Sequence, residues 1–146
     1  MLNAGEQLLL ALSWGPAMAE GSLTDAVHAV TGAWVADGVL AAQTLDKFGL
    51  LTRRFARFAA AHDVTTLAAV DPGLVAKFVA AKSRTRHGIV SDAAAATMHD
   101  RRAALRAFYR TARRLRLTID DPAADIDVPA RKSSVQRPLS DDEAAL

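Results

Sequence analysis

Cysteine is absent from the 146 residues, so disulfides, thiolate nucleophiles and cysteine-ligated zinc are excluded, and the chain suits a reducing compartment. The four histidines stand apart at 28, 62, 87 and 99, with no two at metal-ligand spacing, so no metal and no cofactor is expected. No apolar run is long enough for a membrane span. The nearest candidate is Leu8–Leu12 followed by Ala17, Met18 and Ala19, whose small residues resemble a secretory cleavage site. A signal of that kind needs a basic start, and Glu6 stands there instead. The segment 6–13 therefore reads as a short amphipathic or partly buried helix, and the protein as cytoplasmic with no membrane partner. Lys and Arg are also missing from residues 1–40, which carry four acids: Glu6, Glu20, Asp25 and Asp37.

The missing positive charge is concentrated further along. From Lys47 to Arg116 there are 15 Lys and Arg against four acids, an imbalance that either repels itself in solvent or faces a polyanion. Half the residues are apolar, enough for one domain with a real core. Ala, Leu and Arg dominate and no stretch alternates with period two, so the fold is expected to be all-α. After the Gly15-Pro16 breaker a helix opens at Thr24 or Asp25, carries Val27, Val30 and Trp34 as an apolar stripe, and ends at Gly38.

The segment Thr44 to His62 is the clearest amphipathic helix. Leu45, Phe48, Leu51, Phe55 and Phe58 form its core stripe, and Lys47, Arg53, Arg54 and Arg57 fall on its other side, about 140° around the wheel. Asp71-Pro72 is a helix start, with Asp as cap and Pro at the first helical position, and Val75, Phe78 and Val79 face inward. A loop from Ser83 to Val90 precedes a long helix, roughly 93–116, which Ser91 or Asp92 can cap. Leu105, Phe108, Ala112 and Leu115 face the core, while Arg102, Arg106, Arg110 and Arg113 make one basic ridge with His99 beside it. Like charges at that spacing repel, so the ridge brings an unbound protein nothing. Arg101 falls near the core stripe and is expected to pair with an Asp. A turn from Asp121-Pro122 to Ile126 leads into a linker, and Ser140 with Glu143 forms a capping box after Leu139, as though a further domain began there.

Several of these pieces, in order, resemble one family: Thr44 to Phe48, Phe55 and Phe58, the segment Arg102 to Arg110, Asp121-Pro122-Ala123, and Arg137 to Glu143. Together they are similar to the N-terminal core-binding domain of tyrosine recombinases, the phage integrases and Xer proteins. The resemblance implies a small orthogonal bundle of about four helices, SAM-like, whose basic faces clamp duplex DNA during integration and recombination. It divides the chain into an acidic helical extension (1–41), a DNA-binding domain (42–127), and a linker with the start of a missing catalytic domain (128–146). By it Lys47, Arg53, Arg54, Arg57, Arg102, Arg106, Arg110 and Arg113 would form the DNA surface, with Arg131 and Lys132 in the linker along the duplex. No catalytic residue and no small-molecule substrate is expected, so the chain itself reads as no enzyme. Self-association on DNA fits the family.

His99-Asp100-Arg101-Arg102 has the spacing of the family's active-site His-x-x-Arg, and Tyr109 is the one tyrosine. Both lie in the core-binding helix, so this is a coincidence of spacing, and Tyr109 is expected in the core with its hydroxyl at the rim. Residues 1–40, having no cation, are expected to add no phosphate contacts and to be removable without loss of DNA binding. They read as an annex packed on the bundle, or alternatively as a contact to a neighbouring protomer through Trp14 or Trp34. Two other functions stay open: a truncated or decayed integrase without activity, and a stand-alone helical regulator. A helix-turn-helix is disfavoured by the long 83–90 loop.

Overall fold

In a computed structural model that describes residues 21–130, four α-helices and one short β-hairpin surround a single core. Helix α1, Leu23–Asp37, starts because the Ser22 hydroxyl accepts the Asp25 amide (2.9 Å), with Asp25 itself at the positive end of the helix dipole. It stops at Gly38, whose left-handed φ of 63° lets its N–H return to the Trp34 carbonyl. Helix α2 spans Ala42–Ala61. A 3-10 turn, Leu67–Ala69, leads to α3, Pro72–Val79, whose first turn is capped as its sequence suggests, Asp71 accepting the Leu74 amide at 2.8 Å.

Residues 83–91 depart from the expected loop. Strands β1 (Ser83–Arg84) and β2 (Val90–Ser91) pair antiparallel. The turn between them is held by the Thr85 hydroxyl, which accepts the His87 and Ile89 amides. Ser91 is therefore committed to a strand, and Asp92 to Lys82 (2.7 Å), so neither caps the next helix. Helix α4 begins instead at Ala95 behind Ala94, which makes no side-chain cap bond, and runs to Arg114.

The amino-terminal helix packs its apolar stripe on the bundle, as expected of an annex, and enters the core more deeply than an annex would. Leu23, Val27, Val30 and Trp34 are buried in the same cluster as Phe55, Phe78, Leu105 and Phe108. Trp34 packs on Phe48 and donates from Nε1 to the Thr111 hydroxyl, a 2.9 Å bond buried between α1 and α4. Gly21 and Ser22 lie beside Thr65–Leu67, with Leu23 N donating to Thr65 O and Leu67 N to Gly21 O. No core boundary falls at residue 41. Charge made residues 23–37 look separable, but a helix is placed by its apolar face, and this one has four large side chains in the centre.

Tyr109 also differs from its expected place. It is fully buried edge-on to Phe108, and its hydroxyl, rather than reaching the rim, has no hydrogen-bond partner among the described residues. Burial, and secondly the charges of Asp121 and Asp120, push the phenol well above its ordinary pKa of 10.0. A raised pKa means the native state holds the proton more tightly, so this stability is complete below pH 10 and drains away above it as the unfolded phenol ionises. Tyr109→Phe removes a buried group that lacks a partner. It is expected to leave stability unchanged or raise it by about 1 kcal/mol at neutral pH, and to flatten its decline above pH 10. Urea melts at pH 7 and pH 10.5 measure both; a large loss at pH 7 would contradict the geometry.

Candidate nucleic-acid interface

The outer side of α2 carries its basic residues as the helical wheel requires. Lys47, Arg54 and Arg57 are exposed, one or two turns apart. Lys47 reaches Asp100 on α4 at 3.5 Å, a half-exposed pair of little energetic weight. Arg54 lies near Arg101, whose guanidinium it disfavours by charge. Arg54 and Arg57 have no carboxylate within salt-bridge distance among the described residues. Arg53 is set apart from them: it turns round the helix toward α1, its Nη1 3.3 Å from where a Cβ on Gly49 would sit.

Arg101 is partly buried, as expected, but its partner is no Asp. Its Nη1 donates to the carbonyls of Ala81 (2.6 Å), Val79 (3.1 Å) and Phe78 (3.3 Å), while the guanidinium stacks 5.6 Å from the Phe78 ring. The carbonyls closing a helix have no intrahelical donors and carry the negative end of its dipole, so a cation there is well matched. Desolvation first, and Arg54 second, lower its pKa.

The ridge on α4 is largely occupied. Residues 121–130 fold back over it as a strap, with Pro122, Ala123 and Ile126 buried. Arg106 donates from Nη2 to Ala124 O (2.9 Å) and from Nε to Ala123 O (3.3 Å), and Arg102 from Nη1 to Ile126 O (2.9 Å). His99 contacts Pro129 O through Nε2 at 2.9 Å and the Arg102 guanidinium through Nδ1 at 3.4 Å, which fits a neutral ring carrying its proton on Nε2. Arg113 faces Asp121 at 3.8 Å. The ridge is thus not bare in the unbound protein: Arg102, Arg106 and Arg113 each meet an acceptor in the strap. Arg110 alone of the four has no such partner among the described residues. It opens onto two shallow grooves, one of about 370 Å³ beside Phe48, Arg102 and Arg106, the other of about 260 Å³ beside Arg113 and Asp121.

Sequence reasoning missed the strap and the 83–91 hairpin. Pro122, Ala123 and Ile126 did signal a turn with an apolar side, but not the helix it covers. His99 and Arg102 touch, but Arg101 and Tyr109 do not join them: Arg101 points to α3 and Tyr109 into the core. Arg131 and Lys132 lie outside the described residues. Among those residues no cluster of His, Asp and Glu could hold a metal ion, and no helix is long and apolar enough to cross a membrane.

No curated protein and no solved structure matches the chain. Residues 35–115, more than half of it, match the phage integrase N-terminal SAM-like domain, from the last turns of α1 to the end of α4. With that match lying on a helical bundle of the expected kind, the chain belongs to the phage integrase N-terminal SAM-like family.

Proposed function

We propose that this domain binds duplex DNA as the clamp of a site-specific tyrosine recombinase. The observation that carries the reading is the exposed cationic face of α2, where Arg54 and Arg57 stand beside Lys47 without carboxylate partners among the described residues. Arg110 extends that charge onto α4. Arg102, Arg106 and Arg113 contribute what their other contacts leave free, since a guanidinium has five N–H groups and the strap takes one or two of them. Arg131 and Lys132 would continue the track along the duplex, and a second copy on a neighbouring half-site would complete the clamp. Phosphate contacts supply the affinity, and an Arg that reaches a guanine edge supplies sequence preference. Strand cleavage needs other residues, because the phenol of Tyr109 is buried, protonated and out of reach of a phosphodiester.

A salt titration on duplex DNA tests the reading. Arg54→Ala with Arg57→Ala is expected to lower the slope of log affinity against log salt by about 0.9 for each phosphate no longer neutralised, while stability changes by less than about 0.5 kcal/mol. Arg53→Ala, turned toward α1, is expected to leave the slope unchanged. Superimposed curves for the wild type and the folded double variant would remove the physical support for DNA binding.

A further inference from the structure

One surface is unexplained by a DNA clamp. On the side of α1 and α2 away from α4 runs a groove of about 650 Å³, lined by Gly32, Val35, Leu45, Gly49, Leu50 and Arg53. Val35 and Leu50 are 64% and 38% exposed. A Cβ placed on Gly32 would meet nothing within 4 Å, so the floor of the groove is hollow at that point.

We propose that this groove receives residues 6–14 of the same chain. Reach favours them. Twenty residues precede Gly21, which is pinned beside Thr65–Leu67 at the start of α1, and the groove begins at His28, about 8 Å along that helix at 1.5 Å per residue. The six residues 15–20, containing Gly15-Pro16, span up to about 20 Å and can turn the chain back along α1. Chemistry favours them as well. On a helical wheel Leu8, Leu9 and Leu12 fall within about 100° of one another, an apolar stripe suited to the exposed Val35 and Leu50. The segment carries Glu6 and no cation, and the groove sets Arg53 and His28 beside one acid, Asp46, so its charge does not oppose the segment.

The absence of cysteine makes the test direct. In the full chain, Leu8→Cys or Leu12→Cys is paired either with Gly32→Cys in the groove or with Arg110→Cys on the α4 face, and each pair is oxidised mildly at low concentration. A docked segment closes a disulfide within one chain with Gly32→Cys, since a tethered thiol at millimolar effective concentration outcompetes a second molecule at ~10 μM by about 100-fold. The Arg110→Cys pair closes much more slowly. Equal rates for the two partners, or covalent dimers as the main product with Gly32→Cys, would overturn the proposal, the latter placing a second copy in the groove. Val35→Asp supplies an independent reading: it is expected to lower the thermal midpoint in the wild-type background and to have little effect once Leu8→Asp and Leu12→Asp are present. Equal shifts in both backgrounds would count against the docked segment.

Discussion

A fragment beginning at residue 42 is expected to lose cooperative folding. Deleting α1 removes Leu23, Val27, Val30 and Trp34 from the core and bares Phe55, Phe108 and the rest of the cluster they cover. A fully buried Val or Leu contributes about 1.5–3 kcal/mol and a buried Trp about 3–5 kcal/mol, so four such losses approach or exceed the 5–15 kcal/mol that holds a whole domain together. The Thr111 hydroxyl also loses its bond to Trp34. Thermal unfolding followed by circular dichroism is expected to show a broad, non-sigmoidal decline where the full chain gives a transition. A sharp transition in the fragment, with the same denaturant sensitivity as the parent, would mean that α1 is an accessory after all.

Replacing Arg101 with Met is expected to destabilise the protein by about 2–3 kcal/mol, although most of the side-chain volume is kept. The guanidinium bonds three carbonyls at the end of α3, and at Ala81 the separation is only 2.6 Å. Without it the Val79 and Ala81 carbonyls lose this donor in a partly buried space, only Phe78 O keeping the Ala81 amide, and the stacking on Phe78 disappears too. Arg54→Ala is expected to act in the opposite sense on the same site by relieving the charge that disfavours Arg101. Urea denaturation of the two single variants and their combination separates the effects. A change under about 0.5 kcal/mol in Arg101→Met would show that water replaces the guanidinium without penalty.

These two sites illustrate what the amino-acid sequence discloses and what it conceals. The stripe of α2, the Asp71-Pro72 start and the Gly38 stop were legible because each depends on neighbours within one or two turns. The hairpin at 83–91 was not, because two-residue strands show no alternation and its turn is held by backbone bonds between Thr85, Gly88 and Ile89 together with the Thr85 hydroxyl. The apolar stripe of α1 marked it as packed on the bundle, but its acidic surface suggested an annex rather than a share of the central core, since charge describes only the solvent side. For the basic face, spacing correctly grouped Arg102, Arg106, Arg110 and Arg113 on one side of α4. What it could not disclose is that backbone carbonyls some twenty residues on would meet two of them, since a carbonyl acceptor leaves no trace in the side-chain code.

That same fact gives the strap an unusual freedom. Arg102 and Arg106 grip it by main-chain oxygen atoms of Ala123, Ala124 and Ile126, and His99 by that of Pro129, so the fastening is indifferent to which side chains project outward from positions 124, 125 and 127. Mutational drift can therefore rewrite the exposed letters of this segment while its path across α4 stays put. The direction in which the polypeptide leaves the bundle becomes a property of the helix beneath it, inherited through two arginines and a histidine.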